Sequence, residues 1–215
     1  MAKLKLDISM SLDGYVAGPE PTLEDPLGAG GEQLHEWAFA LKAFREPHGL
    51  EGGDEGPDSE LMEEAIRSTG ATIMGRKMFS GGSGPWEDDP NADGWWGNDP
   101  PFKHAVFVLT HHPRETVAKE GGTTFTFVTD GIESALEKAR EAAGDLDVAI
   151  GGGAEAAQQY LDAGLLDEVQ IHLVPVLLGG GVRLFGKTGG GRPKLESTRV
   201  VEGAGVTHLG YRVVK

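Results

Sequence analysis

The chain has 215 residues, enough for one domain in which helices cover both faces of a central sheet. Its formal net charge is −15, from 34 acidic and 19 basic residues, and no segment clusters lysine and arginine densely enough to neutralise several phosphates of a nucleic acid. Nucleic acids and anionic membranes are therefore excluded as expected partners. The absence of cysteine excludes disulfides, thiolate metal sites and cysteine nucleophiles, and it predicts a cytoplasmic protein.

Apolar and polar residues alternate from Leu4 to Met10, which predicts a strand with one buried face. No apolar segment in this region or elsewhere is long enough to cross a bilayer. Residues 18–56 follow, an acidic segment rich in glycine and proline, and its helical pattern is limited to Leu34, Trp37, Ala38 and Leu41. This composition predicts an insertion or lid.

The middle of the chain alternates strand and helix patterns. Strands are predicted at 71–74, 105–110, 124–128, 147–150 and 169–174, and helices at 58–70, 130–144 and 154–163, the second of these beginning at Asp130 with Glu133 as a capping box. This alternation is typical of parallel strands joined by right-handed crossovers. Residues 80–101 form a second insertion, an irregular segment with three tryptophans. Patterns around 182–185, 195–201 and 206–214 lack a helix and predict antiparallel strands at one edge.

The strongest local motif lies between a predicted buried strand and a helix, at Ile150, Gly151, Gly152, Gly153 and Ala154. Consecutive glycines let backbone N–H groups converge at the positive end of a helix, where a pyrophosphate binds well. The motif does not match the Rossmann fingerprint, because Ala154 and Glu155 follow the glycines directly. It could equally be a tight turn.

Two further strand ends carry polar residues. Gly75, Arg76 and Lys77 place two cations where a helix begins, and they could hold a phosphate or form a surface turn. Thr110 and His111 end another buried strand, at the edge where open α/β sheets bind ligands. We expect them beside a cofactor phosphate, although surface histidines are the alternative. No ligand spacing indicates a metal, and no metal site is predicted.

Asp13 lies in the glycine-bearing loop that leaves the first strand. It could donate a proton or orient a substrate, or it could be a turn residue. No order of serine, histidine and aspartate indicates nucleophilic catalysis.

Taken in order, these motifs resemble the dihydrofolate-reductase-like family, in the branch related to the C-terminal reductase domain of the bifunctional riboflavin-biosynthesis deaminase-reductase. The resemblance covers most of the chain and rests on residues 11–18, 74–79, 108–110, 150–153 and 175–179, with Phe185. It implies a three-layer α/β fold with a mostly parallel mixed sheet, helices on both faces and an antiparallel C-terminal edge, in a single domain spanning residues 1–215. It also implies a homodimer.

The resemblance implies that NADPH binds across the carboxyl ends of the strands. The nicotinamide would lie near Ser11, Val16, Ala17 and Gly18, the phosphates near Gly75, Arg76 and Lys77, the adenosine side near Thr110 and His111, and the pyrophosphate at 150–155. The reaction would be hydride transfer to a C=N or C=O carbon of a small pteridine-like or pyrimidine-like substrate. Asp13 and Trp86 are the expected substrate residues.

Two departures from the family keep other functions open. Glu36, Asp58 and Glu60 are candidates for the carboxylate that holds a pterin in dihydrofolate reductases, but none stands in a recognisable motif. The zinc deaminase signature of the bifunctional enzyme is absent. A non-catalytic nucleotide-binding module and a flavin- or deazaflavin-binding reductase are the alternatives.

Overall fold

The computed structural model describes residues 2–186 and 193–215. Within these ranges the strands are β1 (Leu4–Ser11), β2 (Tyr15–Ala17), β3 (Thr69–Gly75), β4 (Ala105–Leu109), β5 (Val117–Ala118), β6 (Thr124–Val128), β7 (Asp147–Ile150), β8 (Glu168–Val174), β9 (Val182–Arg183), β10 (Lys194–Gly203) and β11 (Val206–Val214). The α-helices are α1 (Glu36–Phe39), α2 (Lys42–Arg45), α3 (Pro57–Ser68), α4 (Arg76–Ser80), α5 (Ile132–Ala143) and α6 (Ala154–Asp162).

Nine of the strands form one sheet in the order β10-β11-β8-β1-β7-β3-β4-β6-β5. The run from β8 to β6 is parallel, whereas β11, β10 and β5 are antiparallel to their neighbours. This confirms the predicted mixed α/β sheet with an antiparallel C-terminal edge. Two short strands were not predicted as such: β2 pairs with β9 in a separate sheet, and β5 extends the main one.

The two faces of the sheet differ in character. Alternate residues of β1, β3 and β7 point to one face, where Leu6, Ile73 and Ile150 form the main apolar core with α5 and α6. The opposite face is covered by α1–α4, and it carries a smaller core around Met74 and Phe79. The opposite side of β1 presents Lys5, Asp7, Ser9 and Ser11. The face under α1–α3 is therefore unusually polar.

Helix α5 begins differently from its prediction. Gly131 is its N-cap residue and no side chain caps it, so the predicted capping box of Asp130 and Glu133 is wrong. Asp130 instead accepts hydrogen bonds from Ser134 and Lys138, further along the chain. No helix in the described part of the chain is both long and apolar enough to span a membrane.

The segment 18–56 is held against the sheet by close backbone contacts rather than by a long helix. Gly18 N–H donates to Leu27 O at 2.7 Å, and a Cβ at Gly18 would lie 2.2 Å from Ala29 O. The segment contains only the short helices α1 and α2, together with 3₁₀ turns.

We expect Gly18→Ala to destabilise the protein by about 1–3 kcal/mol, because the added methyl group overlaps a backbone carbonyl that cannot move freely. Urea unfolding monitored by circular dichroism measures this change. Gly84→Ala is the matched control, since a Cβ there meets no atom within 4 Å. Equal stabilities of the two variants would contradict this account of residue 18.

Candidate active site

The carboxyl ends of β3 and β7 form the point where the topology of the sheet reverses. The chain runs outward through β3, β4 and β6, then returns to place β7 between β1 and β3. The helix after β3, α4, lies on one face of the sheet, and the helix after β7, α6, lies on the other. Diverging helices leave a crevice at the strand ends, which is where open α/β sheets bind ligands.

The two glycine-rich turns meet at this crevice. Gly75 N–H donates a hydrogen bond to Gly152 O at 3.1 Å, and Gly151 N–H donates to Ile73 O at 2.9 Å. The peptide bond between Gly152 and Gly153 is cis. The motifs at 75–77 and 150–154, which are far apart in the sequence, are therefore neighbours in the fold.

The turn after β7 presents bare backbone to the crevice. A Cβ on Gly151 would lie 2.7 Å from Thr72 Cγ2, so this glycine is required by packing beneath the turn. A Cβ on Gly75 or Gly153 would meet no atom within 4 Å. In the described ranges, the N–H groups of Gly152 and Gly153 donate to no protein acceptor. A Cβ on Gly152 would lie 3.3 Å from Met78 Sδ, so the open space is at Gly153, at the start of α6, where backbone N–H groups suit an anion.

Asp13 links two loops at the carboxyl end of β1. Its carboxylate accepts hydrogen bonds from Ser11 Oγ at 2.7 Å, Leu178 N at 3.1 Å and Gly179 N at 2.7 Å. The hydrogen bond from Ser11 lowers the pKa of Asp13 despite some desolvation, and the two backbone amides lower it further. Asp13 therefore joins the loop after β1 to the backbone at residues 178–179. Its predicted role toward the substrate stays a prediction.

The side chain of Arg76 is engaged within the protein. Its guanidinium pairs with Asp89, donates to Ser80, and lies 3.5 Å from the centroid of the Trp86 ring. Both partners of the Arg76–Asp89 pair are almost fully buried. Of the two cations predicted to meet a phosphate, only Lys77 is exposed at the crevice. Arg76 anchors the segment 80–101 to the end of β3.

Thr110 and His111 lie one strand beyond this pair of turns. Thr110 is buried, its N–H donates to Val128 O at 3.1 Å, and its Oγ1 accepts from His112 N at 3.1 Å. His111 is exposed. The hydroxyl of Thr110 therefore shapes the turn, and the imidazole of His111 is free to meet a ligand.

The predicted substrate residues Asp13 and Trp86 are not brought together. Trp86 packs against Phe127 of β6, and its Nε1 donates to His112 O at 2.9 Å. Asp13 follows β1, four strands away in the sheet. Four strand spacings amount to about 19 Å. Trp86 therefore covers the outer part of the sheet rather than the region near Asp13.

A model of the RibD C-terminal domain family matches residues 2–209. The chain belongs to this family. The resemblance stated from the motifs is thereby confirmed, and family membership supports an oxidoreductase of the riboflavin-biosynthesis reductase type. A search of curated proteins with this chain found no match.

Solved structures share the fold at low sequence identity. A protein described as a riboflavin biosynthesis protein from Shewanella sp. PV-4 is 21% identical with a TM-score of 0.64, and the match covers 100% of both chains. The riboflavin biosynthesis reductase of Saccharomyces cerevisiae is 13% identical, with a TM-score of 0.52 over 100% of this chain and 89% of the other. Dihydrofolate reductase from Enterococcus faecalis, complexed with NADP(H), is 13% identical, with a TM-score of 0.53 over 99% and 97%.

The RibD C-terminal domain thus gathers most of the predicted cofactor residues along one edge. Ser11 ends β1 and Val16–Gly18 follow it, Gly75 ends β3 and is followed by Arg76 and Lys77, Gly151–Glu155 follow β7, and Thr110 with His111 follows β4. Nothing in the sequence marks Asp89 as the partner of Arg76, because an acidic residue in an acidic loop carries no signal of burial. Gln158 was also not predicted; its Nε2 donates to Arg183 O and Leu184 O at 3.0 Å and ties α6 to β9.

Proposed function

We propose that this protein is an NADPH-dependent reductase that transfers a hydride to a C=N or C=O carbon of a small pyrimidine-like or pteridine-like substrate. The hydrogen bond between Gly75 N–H and Gly152 O carries the proposal, because it joins the two turns that would hold the phosphates. The N–H groups of Gly152 and Gly153, which have no acceptor in the described part of the chain, supply donors, and the exposed Lys77 supplies positive charge. Family membership supports the reductase class.

The residues present fit a dinucleotide. The predicted cofactor residues extend from the loop after β1 to Thr110 after β4. This distance is three strand spacings, about 14 Å, which suits an extended ligand. The pyrophosphate would lie at Gly152–Ala154, and the nicotinamide near Val16–Gly18. Bound NADPH would supply the hydride. The protein binds and orients both reactants, and the segments 18–56 and 80–101 limit the access of water.

Titration of the purified protein with NADPH tests the proposal. We expect saturable quenching of tryptophan fluorescence and a dissociation constant in the micromolar range. No saturable signal up to about 1 mM, the upper end of usual KM values, would exclude NADPH as the cofactor. Oxidation of bound NADPH by a panel of pyrimidines and pteridines would separate a reductase from a non-catalytic module. A yellow purified protein would indicate a flavin instead.

Glu155 offers a test of the pyrophosphate position. It is exposed in the first turn of α6, so its negative charge opposes an anion bound at this helix start. We expect Glu155→Gln to tighten NADPH binding about two- to fivefold at low salt, and less at high salt. Glu141→Gln, exposed on α5, is the control that removes the same charge elsewhere. Equal effects of both substitutions would contradict the placement.

We further propose that the protein is cytoplasmic and forms a homodimer, as the family resemblance implies. Light scattering at working concentration tests the assembly. A monomeric mass would count against the dimer without affecting the proposed cofactor site.

A further inference from the structure

Two buried histidines face each other beneath α1 and α3. His172 on β8 and His208 on β11 are opposite each other, and their Nδ1 atoms lie 2.6 Å apart. His172 Nε2 lies 2.5 Å from Asp7 Oδ1. His208 Nε2 lies 3.0 Å from Asp58 Oδ1. The four side chains form one continuous line of hydrogen bonds, and the proposed hydride transfer uses none of them.

The number of protons in this line follows from its geometry. An ionised carboxylate only accepts hydrogen bonds, so each Nε2 that meets one must carry a proton. A neutral imidazole has a single N–H, so two neutral histidines would then present bare Nδ1 lone pairs to each other at 2.6 Å. That contact is repulsive unless a proton lies between the two atoms. The pair therefore holds one proton more than two neutral imidazoles.

The surroundings indicate which histidine carries the charge. Asp7 is partly exposed, and its side chain stays solvated beside His172. His208 is fully buried. Burial lowers the pKa of His208 by more than its hydrogen bond to Asp58 raises it. His35 is the other titratable group that faces the pair. Burial lowers the pKa of His35, and the electrostatic effect of His172 lowers it further. The partly exposed carboxylate beside His172 and the complete burial of His208 are the geometric reasons for placing the charge of the pair on His172.

Trp37 of α1 lies against both imidazoles. Its ring centroid is 4.7 Å from that of His172 and 5.1 Å from that of His208, and its Nε1 donates to Ser9 Oγ at 3.1 Å. It also packs against the apolar cluster of Leu34, Val174 and Val206, and Leu178, whose N–H donates to Asp13, packs against the same cluster. A cation attracts the face of a neighbouring indole ring. The charge on His172 therefore fixes a residue that borders the candidate active site.

We propose that His172 and His208 share one buried proton, that His172 is consequently a buried imidazolium, and that this charge holds Trp37 against the sheet. This inference rests on the proposed function. It makes His172 and His208 positioning residues, because they hold Trp37 as one wall of the substrate site. Loss of the proton at high pH would leave two facing lone pairs and release Trp37.

Nitrogen NMR of the protein with ¹⁵N-labelled histidine tests the charge. At neutral pH we expect one histidine with both ring nitrogens protonated and one with only Nε2 protonated, assigned by the signals lost in His172→Gln and His208→Gln. His48, which is exposed, provides a reference signal from a histidine outside the pair. A spectrum in which His172 is neutral at neutral pH would overturn the proposal. This result needs only the wild-type protein to fold, since assignment through bonds can replace the variants.

Tryptophan fluorescence tests the link to Trp37. The difference between wild type and Trp37→Phe isolates the emission of this residue, and a neighbouring imidazolium quenches indole emission. We expect this difference to rise about twofold as the pair loses its proton above neutral pH, and His172→Gln to abolish the change. Emission of Trp37 that is constant with pH while His172 titrates would overturn the positioning role. Neither measurement requires NADPH, so a failed NADPH titration would remove the proposed reductase and leave these results standing.

Discussion

Gly153→Leu is expected to weaken NADPH binding by about 100-fold or more, because a side chain would fill the space beside the free amides of the turn after β7. Hydrogen bonds to a charged group contribute about 1.5–3 kcal/mol each, and displacement of the pyrophosphate would lose at least two of them. The φ angle at Gly153 is −83°, outside the left-handed region that favours glycine. Calorimetric or fluorescence titration measures the change.

Ala163→Leu is the matched control, because it adds a side chain of the same kind at the exposed C-terminal end of the same helix. We expect this variant to bind NADPH as the wild type does. Thermal unfolding of both variants checks that the fold is kept. Normal binding by a folded Gly153→Leu protein would show that the pyrophosphate lies elsewhere.

Asp89→Asn is expected to lower the free energy of unfolding by about 3–5 kcal/mol, because it leaves the buried guanidinium of Arg76 without its counter-charge. The side chains of Asp89 and Arg76 are 2% and 7% exposed. A loss of this size lowers Tm by about 10 °C for a chain of this length. Differential scanning calorimetry at neutral pH measures it.

Asp93→Asn provides the control within the same loop. Asp93 also pairs with an arginine, Arg114, but its side chain is 79% exposed. Exposed ion pairs contribute little to stability, so we expect no measurable change in Tm. Equal losses of stability from Asp89→Asn and Asp93→Asn would show that burial of the Arg76–Asp89 pair does not account for the effect.

The same pair predicts a dependence of stability on pH. Burial alone would raise the pKa of Asp89, but hydrogen bonds from Ser80 and Arg76 outweigh it, so the pKa is lowered. A lowered folded pKa means that the contribution is complete above the ordinary aspartate value, about 3.9, and is lost as pH falls through the folded value. The difference in Tm between wild type and Asp89→Asn should therefore shrink only in acid.

Backbone-determined features were predictable from the sequence. The strand at 124–128 and the glycine turn at 151–153 follow from periodicity and from the positions of glycine, which act locally. Their convergence at one edge follows from the general rule for parallel strands. The short strands β2 and β5 were not predicted, because three and two residues are too few to show a periodic pattern.

Side-chain partnerships were much less predictable. Arg76 next to a glycine suggested a phosphate ligand, but its partner was fixed by the path of the loop that carries Asp89. His172 gave no signal, since a histidine inside an alternating strand pattern does not reveal what faces it across the sheet. The position of Trp86 was unpredictable for a related reason: an aromatic residue in a long loop covers whichever apolar surface the loop reaches, here Phe127.

The proposed cofactor site at Gly75 and Gly151–Gly153 consists of main-chain atoms, whereas we expect the segments 18–56 and 80–101 to supply the surrounding walls. Mutation alters side chains readily but leaves peptide groups in place. Substrate preference in such a protein can therefore drift through changes in the two segments while nucleotide affinity persists. A chimera that exchanges only residues 80–101 with those of a relative would be the natural starting point for redesigning its specificity.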